Sequence, residues 1–165
     1  MRIAIDLNDV VRDYTNQFIK CYQKLIDPSF DITEEKVTDF DFFNIFPFPD
    51  QEGDTDKDLY YRFKYEDAAY DLFGRAEVME MNLSIQSTLS FLARIGTRVR
   101  EVYFPTDSMT IWDRCDLLIT ANPKLIENVP EGKKVFKINA PYNKNTKADY
   151  TYDNLIDVIH DENNV

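Results

Sequence analysis

Two periods alternate along this chain, and the switches between them mark its elements. Ile3, Ala4 and Ile5 form an apolar run that predicts a strand over 2–6, too short and too β-branched for a helix. Tyr14, Phe18, Tyr22 and Leu25 then recur at helical spacing, with Ile19 and Ile26 beside them, and predict a helix over 13–26. Asp27-Pro28 ends it, because proline disfavours helical geometry in the residue before it. Later, Ile85, Thr88, Leu89, Leu92 and Ile95 share one helical face up to Gly96. "RVREVYF" predicts a strand over 99–104 and residues 108–114 a short helix. "DLLIT" predicts a buried strand over 116–120, and after the turn "ANPKLIENVPEG" a further strand covers 134–139.

Strands separated by helices of these lengths imply parallel pairing with right-handed crossovers and helices on both faces. The expected fold is α/β, a three-layer Rossmann-like parallel sheet. Ligands in such sheets bind beyond the carboxyl ends of the strands, here residues 6–9, 105–108, 120–123 and 139–143.

Between residues 28 and 82 the texture changes. Phe40, Phe42, Phe43, Phe46 and Phe48 suggest a small core of their own. Asp54, Asp56 and Asp58 alternate as in a calcium loop, but Leu59 and Tyr65 stand where that loop needs a glycine and an acid. A solvated acidic loop is expected, followed by a helix over 60–73 stopping at Gly74. The domain reading is a core of residues 1–27 and 83–165 with a helical insertion, 28–82.

Composition narrows the function. A chain of 165 residues with 44% hydrophobic and 14% aromatic content buries a real core. Its net charge of −11, from 19 basic and 30 acidic residues, argues against nucleic-acid polymers and anionic membranes as partners. Small phosphorylated metabolites need only a local positive site and stay in play. Lys133, Lys134, Lys137, Lys144 and Lys147 form such a basic cluster, read as a solvated face or as a phosphate-attracting rim. Cys21 and Cys115 fit no metal-ligand spacing and read as buried thiols. With no bilayer-length apolar stretch and no signal peptide, a cytoplasmic location is expected. His160, in a polar tail, has no partner for triad chemistry, and the glycines form no phosphate loop.

The opening "IAIDLNDVV" places Asp6 at a strand end, with Asn8 two residues on. It resembles the first motif of the haloacid dehalogenase (HAD) superfamily, an Asp nucleophile followed two residues later by an acid. The insertion after the first helix resembles that superfamily's cap. "CDLLITANPKLIENVPEGKKVFKINAPYN" is similar to the terminal segment of its 5′(3′)-deoxyribonucleotidase-like branch. The resemblance implies attack of Asp6 on phosphorus, with Mg²⁺ held by Asp6, by the backbone carbonyl of Asn8 and by acids on a later strand. It also implies a general acid at position 8.

Several of those positions depart from the pattern. Asn8 has no proton to give, a loss of roughly 10²–10⁴-fold. Asp9 sits where a glycine is usual, and Thr120-Ala121 replaces the acidic pair. Ser84 or Thr106 would have to serve as the second-motif hydroxyl, and Arg114 is the cation nearest the place of the third-motif lysine. The expectation is therefore a degenerate, catalytically impaired HAD-like protein acting as a binding or regulatory module, with weak or no Mg²⁺. The alternative is a working Mg²⁺-dependent phosphatase of the 5′-nucleotidase type.

Overall fold

The four residues of Leu117–Thr120 are all buried, as a strand covered on both faces must be, and they form the centre from which the sheet is built. The computed structural model describes residues 1–49, 53–73, 93, 101–103 and 107–161. Its helices and strands are β1 (Ile3–Ile5), α1 (Tyr14–Leu25), α2 (Asp56–Arg62), α3 (Ala69–Phe73), β2 (Leu117–Thr120), α4 (Pro123–Glu127), β3 (Lys134–Ile138), β4 (Tyr150–Tyr152) and α5 (Leu155–His160). All three strand pairs are parallel, in the order β1-β2-β3-β4.

The fold is thus α/β with a parallel sheet, compatible with a Rossmann-like arrangement. Pairing of Ile5 with Ile119 and of Thr120 with Lys137 fixes the register. One sheet face packs Leu117, Ile119, Phe136 and Ile138 with Val158 of α5. The other packs Leu118 and Val135 with Trp112, Leu125 and Ile126, the last two from α4.

The chain divides into two compact units. The first, residues 1–15, 33–40 and 105–165, contains the sheet. The second, residues 16–32 and 41–104, has an aromatic core. There Phe18 meets Phe42, Phe46 and Phe63 edge-on at 5.0, 4.9 and 5.2 Å between ring centroids, the arrangement that ring quadrupoles favour. Tyr22 packs against Phe46 and Phe48 and donates its hydroxyl to the Pro47 carbonyl.

Several expectations change here. Phe40 is not part of that aromatic core; it lies in the first unit against Tyr142. The acidic run is not a loop but the start of α2. Thr55 caps that helix, accepting from the Asp58 N–H while the Asp58 carboxylate accepts from the Thr55 N–H. The expected helix over 60–73 is interrupted by a π-helical turn at Phe63–Asp67. The expected turn after β2 contains α4, and residues 150–160, for which no element was expected, contribute β4 and α5. Of the expected 99–104 strand, residues 101–103 are in no regular element and the rest lies outside the described residues. The helix expected over 108–114 is a 3-10 helix, Ser108–Asp113. Both cysteines are buried free thiols, and His160 is exposed.

Candidate functional site

Chain direction brings the carboxyl ends of β1 and β2 side by side, and the residues just beyond them meet. The Asp6 N–H donates to the Ile119 carbonyl at 2.9 Å, continuing the ladder one residue past β1. That sets Asp6 beside Thr120, whose Oγ1 donates to Asp6 Oδ2 at 2.9 Å. The Leu7 N–H donates to Asp6 Oδ1 at 2.8 Å, and the Asn8 N–H also favours the ionised form. Burial opposes these contacts and wins. Desolvation raises the Asp6 carboxyl above its ordinary range, and the neighbouring Asp9 charge pushes the same way.

Thr120 is fully buried, and its hydroxyl is used twice, donating to Asp6 and accepting from the Asn122 N–H at 3.0 Å. The same turn begins α4. Asn122 Oδ1 accepts from the Lys124 N–H at 3.0 Å, with Pro123 at the first helical position where its missing N–H costs nothing. Ala121 is buried and gives its carbonyl to Asn143 Nδ2 at 2.8 Å. Asn143, itself fully buried, also donates to the Ile138 carbonyl at 2.9 Å and accepts from the Ala140 N–H at 3.0 Å. One amide thereby ties the ends of β2 and β3 to the turn at residues 140–143.

The loop leaving β1 is as tightly held. Val11 and Arg12 donate to the Leu7 carbonyl at 3.1 and 2.8 Å, and the Asp9 N–H donates to the Arg12 carbonyl at 2.7 Å. Asp9 sits at φ 54°, in the left-handed region that glycine enters freely and Asp tolerates. The backbone thus explains why a glycine suits this position. Its carboxylate accepts from the Thr15 N–H, the Thr15 hydroxyl and the Tyr142 hydroxyl, each at 2.8 Å. Asp9 is therefore committed to anchoring the start of α1, and it holds the Tyr142 phenol firmly protonated, together with burial.

Of the site residues expected from the sequence, Asp6, Asn8 and Thr120 come together. Arg114 does not: it is exposed and precedes β2, at the opposite end of the strand from Thr120. Ser84 and Thr106 lie outside the described residues. Among the described residues two cations are buried, one of them not singled out from the sequence. Arg12 is buried, and desolvation pushes it down to about 10 although the Tyr14 and Asp6 charges favour its protonated form. Lys137, read with its cluster as a solvated face or a phosphate-attracting rim, is buried in the same sheet row as Thr120 and donates to the Thr146 carbonyl at 2.8 Å. Neither burial was legible, since a charged residue in a strand or turn reads as solvent-facing unless its partner is known.

The implied Mg²⁺ finds a poor donor set here. The ion needs near-octahedral oxygen ligands from more than one element. Asp6 supplies a single carboxylate already accepting on both oxygens, and the Thr120 hydroxyl is spent on Asp6 and Asn122. Among the described residues, no three His, Cys, Asp or Glu side chains form a group able to hold a metal. These residues do not fit the ion. No helix among the described residues is long and apolar enough to cross a membrane. No protein-family model, curated protein or solved structure matches this chain.

Proposed function

We propose that this chain is a degenerate HAD-like protein, related to the nucleotidase branch, that works as a binding or regulatory module rather than a phosphatase. The observation that carries the reading is the Thr120–Asp6 hydrogen bond. A hydroxyl that donates to the would-be nucleophile occupies the place where a second carboxylate would share a metal with it. Burial of Asp6 works against the ionised form on which attack at phosphorus depends.

Asn8 adds an amide at the general-acid position, and Asp9 is held by Thr15 and Tyr142. Thr120 and Asp9 are thus committed to hydrogen bonds at the carboxyl end of the sheet. The module's ligand class under this reading is a small phosphorylated metabolite.

Turnover over a panel of phosphomonoesters in excess Mg²⁺ is the test. The expected result is no hydrolysis above background for the native chain or for Asp6→Asn. Hydrolysis by the native chain that disappears in Asp6→Asn would instead establish the magnesium-dependent phosphatase.

A further inference from the structure

A second site opens at the amino ends of β3 and β4, across the sheet from Asp6. A cleft of about 160 Å³ is floored by Ile126 and Val135 and rimmed by Lys133, Lys134, Lys147 and Asp149. Three lysines lining one cleft stand out in a chain whose net charge is −11. They come from two separate segments, the start of β3 and the stretch leading into β4.

Lys133 is already fixed in place. Its Nζ donates to the Cys115 carbonyl at 2.8 Å and lies 3.5 Å from Asp116. Asp116 in turn accepts from the Arg2 N–H at 2.7 Å and lies 3.6 Å from the Arg2 guanidinium, so its charge is shared. The Lys133 ammonium is therefore engaged beside the cleft, while Lys134 and Lys147, also lining it, are exposed.

We propose that this cleft binds a small phosphate monoester that carries a free hydroxyl. The lysines suit a compact dianion, since ammonium groups are strongly hydrated point charges that gather around phosphate. Asp149 supplies an acceptor for the ester's alcohol hydroxyl beside a phosphoryl group held by the lysines, a contact that inorganic phosphate lacks. Size sets the upper bound: drug-sized ligands occupy roughly 300–1,000 Å³, which leaves a nucleotide too large for this cleft. The site is independent of the Asp6 reading and stands or falls apart from it.

Titration calorimetry of the full chain at low salt, with glycerol 2-phosphate and inorganic phosphate as separate probes, tests it. Glycerol 2-phosphate is expected to bind more tightly than inorganic phosphate. Lys134→Ala and Lys147→Ala should each weaken binding by about five-fold, as expected for a partly solvated charge contact. Lys144→Ala, in the same basic stretch but outside the cleft, should leave it within about two-fold. Three results would overturn the site: no heat with either probe, insensitivity to both cleft lysines, or an equal loss in Lys144→Ala. Inorganic phosphate binding as tightly as the ester would overturn the assigned ligand class and the selecting role of Asp149.

Discussion

Replacing Thr120 with valine removes one oxygen from a fully buried site and leaves the shape almost unchanged, so its cost isolates the hydroxyl. Two bonds disappear, to Asp6 Oδ2 at 2.9 Å and from the Asn122 N–H at 3.0 Å. The bond to the ionised carboxyl contributes about 1.5–3 kcal/mol, and its neutral counterpart about 0.5–1.5 kcal/mol. The abandoned Asn122 N–H adds roughly 1 kcal/mol at any pH. Thr120→Val should therefore cost about 3 kcal/mol where Asp6 is ionised and about 2 kcal/mol or less where it is protonated. Folding raises the Asp6 carboxyl above its ordinary 3.8. The folded chain then binds more protons than the unfolded one between 3.8 and the raised value, and the Asp6 contribution is full below 3.8 and lost as pH rises through that window. Thr120 limits the rise, so the valine variant should lose more stability across it than the native chain does. Urea unfolding of both proteins from acid to alkaline pH measures this directly. A cost that stays constant across the range, or one under about 0.5 kcal/mol, would refute the assignment of Thr120 as the donor that sets the state of Asp6.

Two other substitutions probe the scaffold around the site. Asn143→Ala deletes three buried hydrogen bonds and strands two carbonyls and an N–H, so denaturant unfolding should show a loss of about 3–5 kcal/mol. Asp9→Ala places a β-carbon residue without local hydrogen bonding at φ 54° and removes acceptors from Thr15 and Tyr142. A loss of about 2–4 kcal/mol is expected in the same assay, with Asp9→Asn costing less because asparagine tolerates the left-handed region and keeps one acceptor.

Where burial was written in apolar residues, the sequence was legible. "IAI" and "DLLIT" gave β1 and β2 within a residue or so, and the Tyr14–Phe18–Tyr22–Leu25 spacing gave α1. The parallel pairing of β1 with β2 followed from the length of chain between them. "DYTYD" concealed β4, because a three-residue strand at the sheet's edge carries too little alternation to separate from a loop. α2 was concealed by its acidic start, although Thr55 and Asp58 at capping spacing were a readable signal. For the site, the meeting of Asp6 with Thr120 followed from placing both at the carboxyl ends of adjacent parallel strands. The use of Thr120 as a hydrogen-bond donor, the burial of Lys137 and the anchoring of Asp9 by Tyr142 depend on partners more than a hundred residues away or on register, which no local pattern encodes.

The central claim is that Asp6 is held by hydrogen bonds in a place where the described residues give magnesium no group of three His, Cys, Asp or Glu side chains. Calorimetric titration of the native chain with MgCl₂ tests it most directly, with Asp6→Ala and the pair Asn8→Asp with Ala121→Asp alongside. The account predicts binding no tighter than the millimolar range, unchanged in Asp6→Ala, and strengthened when the two acids are restored. Tight Mg²⁺ binding by the native chain that vanishes in Asp6→Ala would contradict it.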